Sequence, residues 1–463
     1  MKQPDKKIFG TDGVRGTANI EPVTAETALK LGRAAAHVFK NLHGQARNRV
    51  RYRIVIGKDT RLSGYMLENA LSSGVLSMGV DVVFMGPLPT PGVAYVTRSL
   101  RADAGIVITA SHNPYDDNGI KFFRPDGYKL DDQVEKQIED LVFSGEIENI
   151  RPTAGEIGKA YRIEDAIGRY VEHAKASFPR GMTLEGMRIV VDCGHGASYK
   201  TTPAVLQELG AELIVFGTQP NVTNINHECG SMHPQNLCQK VREYRADIGI
   251  AHDGDADRVL LCDENGRIID GDDIMAITGL QMLADGTLNK KTLVATVMSN
   301  AGLDSAFTKA GGTVIRTPVG DKHVIDAMLG EGYNLGGEQS GHMIFRDHST
   351  TGDGLVAALQ ILSAMKTTGK PLSRLARCWT RYPQLVANVK VRVKTPFEEL
   401  DQVMDLVKQA EAEVVPLGGR VLLRYSGTEP KARLLIEGPE QAVLEKWSAI
   451  ICESIRRQAG DVS

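Results

Sequence analysis

The chain has 463 residues and a formal net charge of −3, and 42% of its residues are hydrophobic and 24% charged. This balance is typical of a soluble globular protein, and the length predicts about three domains. The near-neutral charge, without a long basic run, argues against a nucleic-acid partner, and no apolar stretch approaches the ~20 residues of a membrane helix. No secretory signal follows Met1, so we expect a cytoplasmic protein.

Short β-branched runs alternate with helical segments along most of the chain. Residues 24–42 predict a helix with Thr24 as its N-cap, because apolar residues recur on one face. The predicted strands after it are 53–56, 81–85 and 104–109, then 188–192, 211–216 and 247–251, then 293–298, 313–315 and 333–335. Strands that alternate with helices predict parallel or mixed α/β sheets.

The first two of these three cycles contain similar sequences. Residues 102–106, Ala-Asp-Ala-Gly-Ile, resemble residues 246–250, Ala-Asp-Ile-Gly-Ile, and each run leads through a strand into a polar loop. Ser111 and Asp255 each follow the aspartate of their run by eight residues. The similarity suggests duplicated α/β units whose loops lie at equivalent strand ends, where open α/β sheets bind ligands.

The last part of the chain has a different pattern: an exposed strand, a helix, a hairpin and a final helix. We therefore predict an α/β protein with three similar mixed-sheet domains and a smaller C-terminal α+β domain. The predicted domains are residues 1–155, 156–255, 256–372 and 373–463.

Residues 253–258, Asp-Gly-Asp-Ala-Asp-Arg, place three carboxylates at alternate positions. Small residues separate Asp253, Asp255 and Asp257, so the three can converge on one point, where a cation would offset their repulsion. Oxygen ligands of this kind suit a hard divalent ion such as Mg²⁺. The guanidinium of Arg258 beside them indicates that an anionic group such as a phosphate binds at the same place.

Two other motifs compete for this run. The three aspartates and Glu264 match positions 1, 3, 5 and 12 of a calcium EF-hand. Position six of that loop needs a glycine, however, and Arg258 stands there between strand-like flanks. The Asp-x-Asp nucleophile of haloacid-dehalogenase-type phosphatases also follows an apolar strand, but it leaves the serine loop described below unexplained.

A cluster of histidines and cysteines is a second candidate metal site. His227, Cys229, His233 and Cys238 lie within twelve residues and are ligand types that zinc uses. Their spacing matches no common structural site, which favours an ordinary loop that contains Gly and Pro. The six cysteines form no Cys-x-x-Cys pair, so a redox motif is not indicated.

A serine loop follows the apolar strand at residues 104–109. Ser111 in such a loop can accept a phosphoryl group, and Pro114 keeps the residue before it extended. An ordinary serine turn is the alternative. Lys121 begins the next apolar strand, where its ammonium can meet an anion on the serine; a solvated lysine is the alternative.

A Gly-rich loop follows the last strand of the third cycle, at residues 336–342, Gly-Gly-Glu-Gln-Ser-Gly-His. Glu338 and Ser340 suit the vicinal hydroxyls of a sugar, and His342 could transfer a proton near neutral pH. A Gly-rich turn with exposed polar side chains is the alternative.

A fourth loop lies in the C-terminal part, at residues 424–430, Arg-Tyr-Ser-Gly-Thr-Glu-Pro. Arginines, hydroxyls and a glycine-opened backbone suit a phosphate monoester, and a plain hairpin turn is the alternative. The groups that would bind the phosphate are Arg424, Ser426, Gly427, Thr428 and Arg433.

In this order the four loops closely resemble those of the α-D-phosphohexomutase superfamily. The resemblance extends from residues 9–16, Phe-Gly-Thr-Asp-Gly-Val-Arg-Gly, to the loop at Arg424. The opening motif, Gln339 and Gly427 are most similar to the bacterial phosphoglucosamine mutase branch. The resemblance implies a heart-shaped, four-domain fold in which all four loops face one central cleft.

The resemblance also implies a role for each loop. Ser111 would be the phosphoserine that donates to the substrate, and the three aspartates would hold one Mg²⁺ per active site together with an oxygen of that phosphoserine. Glu338 and Ser340 would select the sugar, and the fourth loop would bind its distal phosphate. The residues implied in proton transfer and charge neutralisation are Lys121, His342, Arg15 and Arg258.

The acid and base are not assigned by the resemblance. Some members of the superfamily place a further histidine after a Thr-Pro-Val-Gly type loop, where this chain has Asp321 and Lys322, with His323 slightly later. That role therefore stays open.

The implied reaction interconverts glucosamine 6-phosphate and glucosamine 1-phosphate and feeds UDP-N-acetylglucosamine synthesis for cell-wall precursors. Glucosamine 1,6-bisphosphate would be the bound intermediate, and the metal and arginines would offset repulsion between two phosphate groups. A mutase for glucose or mannose phosphates, a sugar phosphatase with an aspartate nucleophile and a non-catalytic sugar-phosphate sensor are the alternatives. A homodimer is left open.

Overall fold

The computed structural model describes residues 8–10, 12–42, 51–426 and 430–460. The strands are β1 (Phe9–Gly10), β2 (Gly13–Thr17), β3 (Arg53–Lys58), β4 (Asp81–Pro87), β5 (Ala104–Ile108), β6 (Asp117–Phe123), β7 (Ala160–Arg162), β8 (Arg188–Asp192), β9 (Glu212–Phe216), β10 (Ile248–His252), β11 (Val259–Asp263), β12 (Ile268–Ile269), β13 (Thr292–Thr296), β14 (Thr313–Thr317), β15 (Leu335–Gly337), β16 (Met343–Phe345), β17 (Gln384–Lys390), β18 (Arg420–Tyr425) and β19 (Lys431–Glu437). The helices are α1 (Ala25–Leu42), α2 (Ser63–Ser77), α3 (Thr90–Ser99), α4 (Asp132–Ser144), α5 (Ala166–Lys175), α6 (Thr201–Glu208), α7 (Gln235–Glu243), α8 (Gly271–Ala284), α9 (Gly302–Lys309), α10 (Asp321–Glu331), α11 (Gly354–Thr368), α12 (Leu372–Leu375), α13 (Asp401–Val414) and α14 (Gln441–Ala459).

The first three sheets share one arrangement of strands. Their orders are β1-β2-β6-β5-β3-β4-β7, β12-β11-β10-β8-β9 and β14-β13-β15-β16. Each contains a unit of three parallel strands, followed along the chain by an antiparallel partner, which is β6, β11 or β16. The first sheet has a fourth parallel strand, β7, beside β4. The fourth sheet, β17-β19-β18, is antiparallel throughout. The predicted fold class is therefore confirmed: three similar mixed α/β domains and a smaller C-terminal α+β domain.

The sequence similarity between the first two cycles has a structural counterpart. Asp103, just before β5, accepts a hydrogen bond from the backbone N–H of Arg53 at the start of β3, at 2.8 Å. Asp247, just before β10, accepts the same bond at 2.8 Å from Arg188 at the start of β8. Asn334 does so in the third sheet, where it accepts from the N–H three residues before β13 at 2.9 Å. In all three sheets, a side chain just before the third parallel strand therefore accepts a backbone hydrogen bond from the region where the first parallel strand begins.

This repetition places three loops at one equivalent position. The serine loop (residues 109–116) joins β5 to β6, the aspartate loop (253–258) joins β10 to β11, and the sugar loop (338–342) joins β15 to β16. All residues of β5 and β10 are buried, because these strands lie inside their sheets. Each polar loop therefore leaves the sheet from the end of a buried apolar strand, which holds its position firmly.

Helices pack the first three domains into one continuous hydrophobic core. That core includes side chains of α3, α5, α8 and α11 together with strands of all three sheets. Inside it the hydroxyl of Tyr170 donates to Asp353 Oδ1 at 2.9 Å, which joins the first helix of the second domain to the N-cap of α11. The C-terminal domain has a separate core between its sheet and α13 and α14. None of the helices in the described ranges is long and apolar enough to cross a membrane.

The predicted start of the first helix is confirmed. Thr24 Oγ1 accepts a hydrogen bond from the backbone N–H of Thr27 at 3.2 Å, and α1 begins at the residue after Thr24. The threonine side chain thus satisfies one of the unpaired N–H groups of the first helical turn.

The first and second sheets include strands that follow the predicted domain limits at residues 155 and 255. β7 pairs with β4 in the first sheet, and β11 and β12 complete the second sheet beside β10. We therefore propose that the first domain extends through β7 and the second through β12. An antiparallel return strand is as much a part of its sheet as the parallel strands before it, although it follows a functional loop.

We predict that Asp103→Ala costs about 1–3 kcal/mol of unfolding free energy, because it leaves a backbone N–H without its buried acceptor. Asp247→Ala is the matched control, since it removes the same bond where the side chain is exposed and water can replace the carboxylate. Urea unfolding of both variants measures the difference. Equal losses would show that burial of this bond does not matter.

Candidate active site

Direct contacts bring three of the four predicted loops together. Ser111 Oγ of the serine loop donates to Asp253 Oδ2 of the aspartate loop at 2.6 Å. His342 of the sugar loop has its Nδ1 3.6 Å from Asp257 Oδ2. The three equivalent strand ends of the three domains therefore meet at one place, where a hydroxyl lies beside three carboxylates.

Ser111 is held in an unusual backbone conformation. Its φ is +52°, a left-handed value that a residue with a side chain adopts only when its surroundings enforce it. Its N–H donates to Thr109 Oγ1 at 2.9 Å, and its carbonyl accepts hydrogen bonds from Arg61 and Asn226, each at 2.9 Å. The side chain is almost fully buried. These contacts point the hydroxyl at the aspartate loop.

Arg61 supports the serine loop from inside the first domain. It is completely buried, pairs with Asp59 Oδ2 at 2.7 Å, and donates to the carbonyls of Asn113 and Pro114 as well as to that of Ser111. Burial raises the pKa of Asp59, and Arg61 partly opposes that shift. Sequence reasoning missed this pair. The available signal was the position of the Asp-Thr-Arg run directly after β3, at the same sheet edge as the serine loop.

Asn226 supports the same loop from the second domain. Its side-chain amide donates to the carbonyls of Ser111 and Asn113, at 2.9 and 3.0 Å. Gly254 lets the two loops approach, since a Cβ there would lie 2.5 Å from the carbonyl oxygen of Ser111. Sequence reasoning missed Asn226, because it lies in a long loop without a periodic pattern.

The aspartate loop forms a buried carboxylate cluster. One oxygen each of Asp253, Asp255 and Asp257 lies within 4.8 Å of the others, and all three residues are buried. The Oδ1 atoms of Asp255 and Asp257 are buried without a hydrogen-bond partner among the described residues. Buried carboxylate oxygens that lack donors are the ligands a hard divalent cation such as Mg²⁺ needs, so this donor set fits the predicted metal.

The charges of the cluster act on one another. Burial raises the pKa of Asp253, and the neighbouring carboxylates of Asp257 and Asp255 raise it further. Burial would also raise the pKa of Asp257, but the cationic Lys121 and His342 outweigh it and hold that pKa well below its usual range. The cluster therefore stays anionic on the side that faces Lys121 and His342.

Lys121 lies on β6 and is buried against the cluster. Its Nζ is 2.9 Å from Asp12 Oδ2, 3.2 Å from Asp255 Oδ2 and 3.5 Å from Asp257 Oδ2. Burial lowers the pKa of Lys121, but these three carboxylates outweigh that effect and place the pKa well above its ordinary value. Lys121 is thus a fixed cation at neutral pH.

Two arginines lie near His112, the residue after Ser111. The backbone N–H of Arg258 donates to Asp253 Oδ1 at 3.2 Å. The side-chain Nη1 of Arg258 is 3.0 Å from His112 Nδ1. Arg15 on β2 pairs with Asp12 at 2.9 Å. Burial, Arg258 and Arg15 together lower the pKa of His112 to about 4, so at pH 7 its ring is neutral and can accept from Arg258. The arrangement places positive charge beside the serine loop.

The sugar loop presents acceptors and a cation. Ser340 is exposed and donates to Glu338 Oε2 at 3.3 Å, and the N–H of Gly320 donates to Glu338 Oε1 at 3.0 Å. Burial lowers the pKa of His342, but Asp257 and Asp321 outweigh it and raise the pKa to about 9. At pH 7 the ring of His342 can therefore donate a proton but cannot accept one.

The fourth predicted loop lies at the end of the β18–β19 hairpin. Arg424 and Arg433 stand opposite each other in this antiparallel pair. Ser426 is buried; its carbonyl accepts from Lys394 Nζ at 2.6 Å, and Arg433 Nη2 is 3.5 Å from its Oγ. Gly427 and Thr428 lie outside the described residues. The described part of the loop thus has the cations and the hydroxyl of a phosphate site.

The competing metal motifs do not match the structure. β10 and β11 form an antiparallel pair, so the aspartates lie in a hairpin and not between the helices of an EF-hand, and Glu264 accepts instead from the N–H of Ser373 at 3.2 Å. Within the described ranges, Asp253, Asp255 and Asp257 are the one group with the geometry to hold a metal. The run from His227 to Cys238 is therefore an ordinary loop followed by the start of α7.

Four consecutive segments match the domains of one protein family. Residues 6–148, 168–266 and 270–382 match α/β/α domains I, II and III of phosphoglucomutase/phosphomannomutase, and residues 387–454 match its C-terminal domain. The chain belongs to the phosphoglucomutase/phosphomannomutase family. This membership confirms the predicted superfamily.

The chain is similar over its full length to proteins of one branch of this family. The chain is 56% identical to the phosphoglucosamine mutase of Geotalea daltonii, with 98% of the chain and 99% of the relative covered. It is also 56% identical to that of Myxococcus xanthus, with 98% of both covered.

Among solved structures, the chain is similar to a phosphoglucomutase/phosphomannomutase family protein of Burkholderia thailandensis, at 25% identity and a TM-score of 0.79 with 97% of both chains covered. The fold is shared with Aspergillus fumigatus N-acetylphosphoglucosamine mutase, solved with GlcNAc-6P and magnesium, at 17% identity and a TM-score of 0.67 with 99% and 97% covered.

We predict that Asn226→Ala lowers kcat and costs about 1–3 kcal/mol of stability, because two carbonyls of the serine loop each lose one of their two donors and keep only Arg61. Asn224→Ala is the matched control: its amide donates to Gln219 within the same loop and does not touch the serine loop in the described contacts. Steady-state kinetics and thermal unfolding measure the two effects. A kcat for Asn226→Ala equal to that of Asn224→Ala would contradict the support role.

Proposed function

We propose that the chain is a phosphoglucosamine mutase, which interconverts glucosamine 6-phosphate and glucosamine 1-phosphate through a phosphoserine at Ser111 and a bound glucosamine 1,6-bisphosphate. One observation carries the proposal: Ser111 Oγ lies 2.6 Å from Asp253 within a buried carboxylate cluster. A nucleophilic hydroxyl beside a divalent-cation site is the arrangement that phosphoryl transfer needs. The substrate is supported by full-length similarity to phosphoglucosamine mutases.

We propose that Asp253, Asp255 and Asp257 hold one Mg²⁺ together with an oxygen of the phosphoserine. When bound, the ion would neutralise charge on the transferring phosphoryl group. The unpaired buried oxygens of Asp255 and Asp257 support this assignment.

The protein groups around Ser111 stabilise the transfer. The bond from phosphorus to Ser111 Oγ breaks while a bond from phosphorus to a sugar hydroxyl oxygen forms, and over the whole step the proton lost by the sugar hydroxyl is balanced by the proton that Ser111 Oγ gains. We propose that Arg15, Arg258 and Lys121 offset the negative charge of two phosphates. Lys121 Nζ lies 3.2 Å from Asp255 and His342 Nδ1 lies 3.6 Å from Asp257, so we propose both side chains as proton donors and electrostatic stabilisers.

A second transfer returns a phosphoryl group from the other end of the bisphosphate to Ser111. The intermediate must turn between the two transfers, so one phosphate site must accept either end of the sugar. We propose that Glu338 and Ser340 bind the sugar hydroxyls. The distal phosphate would be bound by Arg424, Ser426, Gly427, Thr428 and Arg433.

We also propose that the enzyme acts in the cytoplasm on a small sugar phosphate and has no nucleic-acid partner. All six cysteines are free thiols, which suits a reducing compartment. A homodimer is compatible with the proposal, and sedimentation velocity would establish the assembly.

Glucosamine 6-phosphate should be converted with a kcat/KM at least about 10-fold above that for glucose or mannose 6-phosphate, since a site that binds the amino group loses affinity for analogues without it. Coupled assays of the purified enzyme with each sugar, activated by the matching 1,6-bisphosphate, measure the ratio. A preference for a neutral sugar would identify a glucose or mannose phosphate mutase instead.

Incubation with glucosamine 1,6-bisphosphate and Mg²⁺ should add one phosphoryl group, mapped to Ser111 by intact mass and peptide sequencing. EDTA should prevent the transfer, because the charge of two phosphates is then not neutralised. Ser111→Ala should show no added mass and should lose at least about 10³-fold in kcat. Phosphate found on Asp253 instead would indicate the phosphatase, and sugar-phosphate binding without any transfer would indicate the sensor.

A further inference from the structure

Six charged side chains form a closed ring that runs through the first three domains. Their charges alternate in sign around the ring, and the first domain contributes three of them. In order they are Asp257, Lys121, Asp12, Lys129, Asp321 and His342, which returns to Asp257.

One half of this ring lies outside the residues assigned to the proposed reaction. Lys129, between β6 and α4, bridges the carboxylates of Asp12 in the first domain and Asp321 in the third. Asp321 is the first residue of α10, and its Oδ2 lies 3.5 Å from His342 Nε2. Lys129 and Asp321 have side-chain exposures of 13% and 15%, so water only partly screens the pair.

The imidazole of His342 is enclosed on its edges and on one face. Asp257 lies at its Nδ1 and Asp321 at its Nε2, at 3.6 and 3.5 Å. Gly352 lies against the ring, since a Cβ at that position would be 2.3 Å from Nε2. With a carboxylate at each nitrogen, the ring has one favoured orientation beside the aspartate loop.

We propose that Asp321, anchored by Lys129, is a positioning residue that fixes the imidazole of His342 beside Asp257. This inference rests on the proposed function, in which His342 acts at the phosphoryl-transfer site. Asp321 acts through His342, and Lys129 acts by tying Asp321 to the first domain. Loss of either charge frees the ring to turn away from the aspartate loop.

The same interface contains a matched control. Lys322, the next residue of α10, pairs with Asp132 of α4 at 2.5 Å and so also joins the third domain to the first. None of its described contacts reaches His342. A variant of this pair weakens the interface without touching the imidazole.

The test compares Asp321→Asn and Lys129→Met with Asp132→Asn. For the first two we expect kcat to fall by about 10- to 100-fold at nearly constant KM, because a proton donor is displaced while substrate contacts remain. For Asp132→Asn we expect both parameters within about 2-fold of wild type. In a His342→Gln background, Asp321→Asn should cause no further loss, because its effect requires the imidazole. Equal kinetics for Asp321→Asn and Asp132→Asn, or additive losses, would overturn the proposal.

Gly352→Ala provides an independent route to the same displacement. Its added methyl group would occupy the place of the ring, so kcat should fall as in Asp321→Asn although every charge is kept. A Gly352→Ala enzyme with wild-type kcat would show that ring position is unimportant.

A spectroscopic measurement separates this inference from the proposed function. The ¹H–¹³C NMR signal of the His342 ring, assigned with His342→Gln, should shift in Asp321→Asn and Lys129→Met and stay in place in Asp132→Asn. If the wild-type enzyme does not convert glucosamine 6-phosphate but the signals follow this pattern, the proposed function fails and the positioning role holds. If conversion is normal and the signal does not move in Asp321→Asn, the positioning role fails alone.

Discussion

Burial of three like charges in one place is the constraint on which the arrangement of the first three domains depends. Asp253, Asp255 and Asp257 lie within 4.8 Å of one another and out of solvent. Removing even one carboxylate from water costs several kcal/mol unless a partner compensates for the lost hydration. The compensating cations come from different domains: Lys121 from the first and His342 from the third. Separation of these domains would leave charges buried without partners, so the cluster favours a closed arrangement.

Repetition of one structural unit explains how those charges reach the same place. Each of the first three domains joins its third parallel strand to an antiparallel return strand, and each functional loop lies at that turn. The shared unit fixes where the loop leaves the sheet, and the loop sequence alone decides its chemistry. A hydroxyl, a carboxylate cluster and the turn that carries Glu338 and His342 therefore arise from one scaffold.

The sequence predicted the parts of this site that depend on local pattern. Ser111 and Asp255 could be found because both follow a recognisable buried strand. Lys121 was found as the predicted start of the next strand, although that strand, β6, begins earlier at Asp117 and Lys121 lies within it. Contacts between sheets could not be found in this way. Arg61, Asn226 and Lys129 act across loop or domain interfaces, at separations of 50 residues or more along the chain. Hydrophobic periodicity fixes which face of an element is buried, but it does not fix how two sheets are oriented.

The extent of each sheet could not be predicted from local sequence either. A functional loop at residue 255 gave no sign that the strand after it returns to the same sheet, because strand pairing is a long-range property. The alternation of strands and helices was sufficient for the fold class, since each cycle buries its own apolar runs. Fold class therefore follows from local sequence, whereas the extent of a sheet follows from its partners.

The C-terminal domain differs from the other three because the proposed reaction asks something different of it. The first three domains share one core and hold the transferring group at a fixed point. A bisphosphate that must present either end needs a phosphate site that is not built into that core, and the C-terminal domain has a core of its own. Described contacts join its sheet to the third domain: Arg420 Nη2 donates to the carbonyl of Ser299 at 2.8 Å, and Glu437 accepts from the N–H of Ala301 at 3.0 Å. In the proposed reaction, a C-terminal domain with its own core would let the phosphate site change its angle while Ser111 and the aspartates keep their geometry. The proposed transfer point and the proposed phosphate site would therefore belong to separate cores.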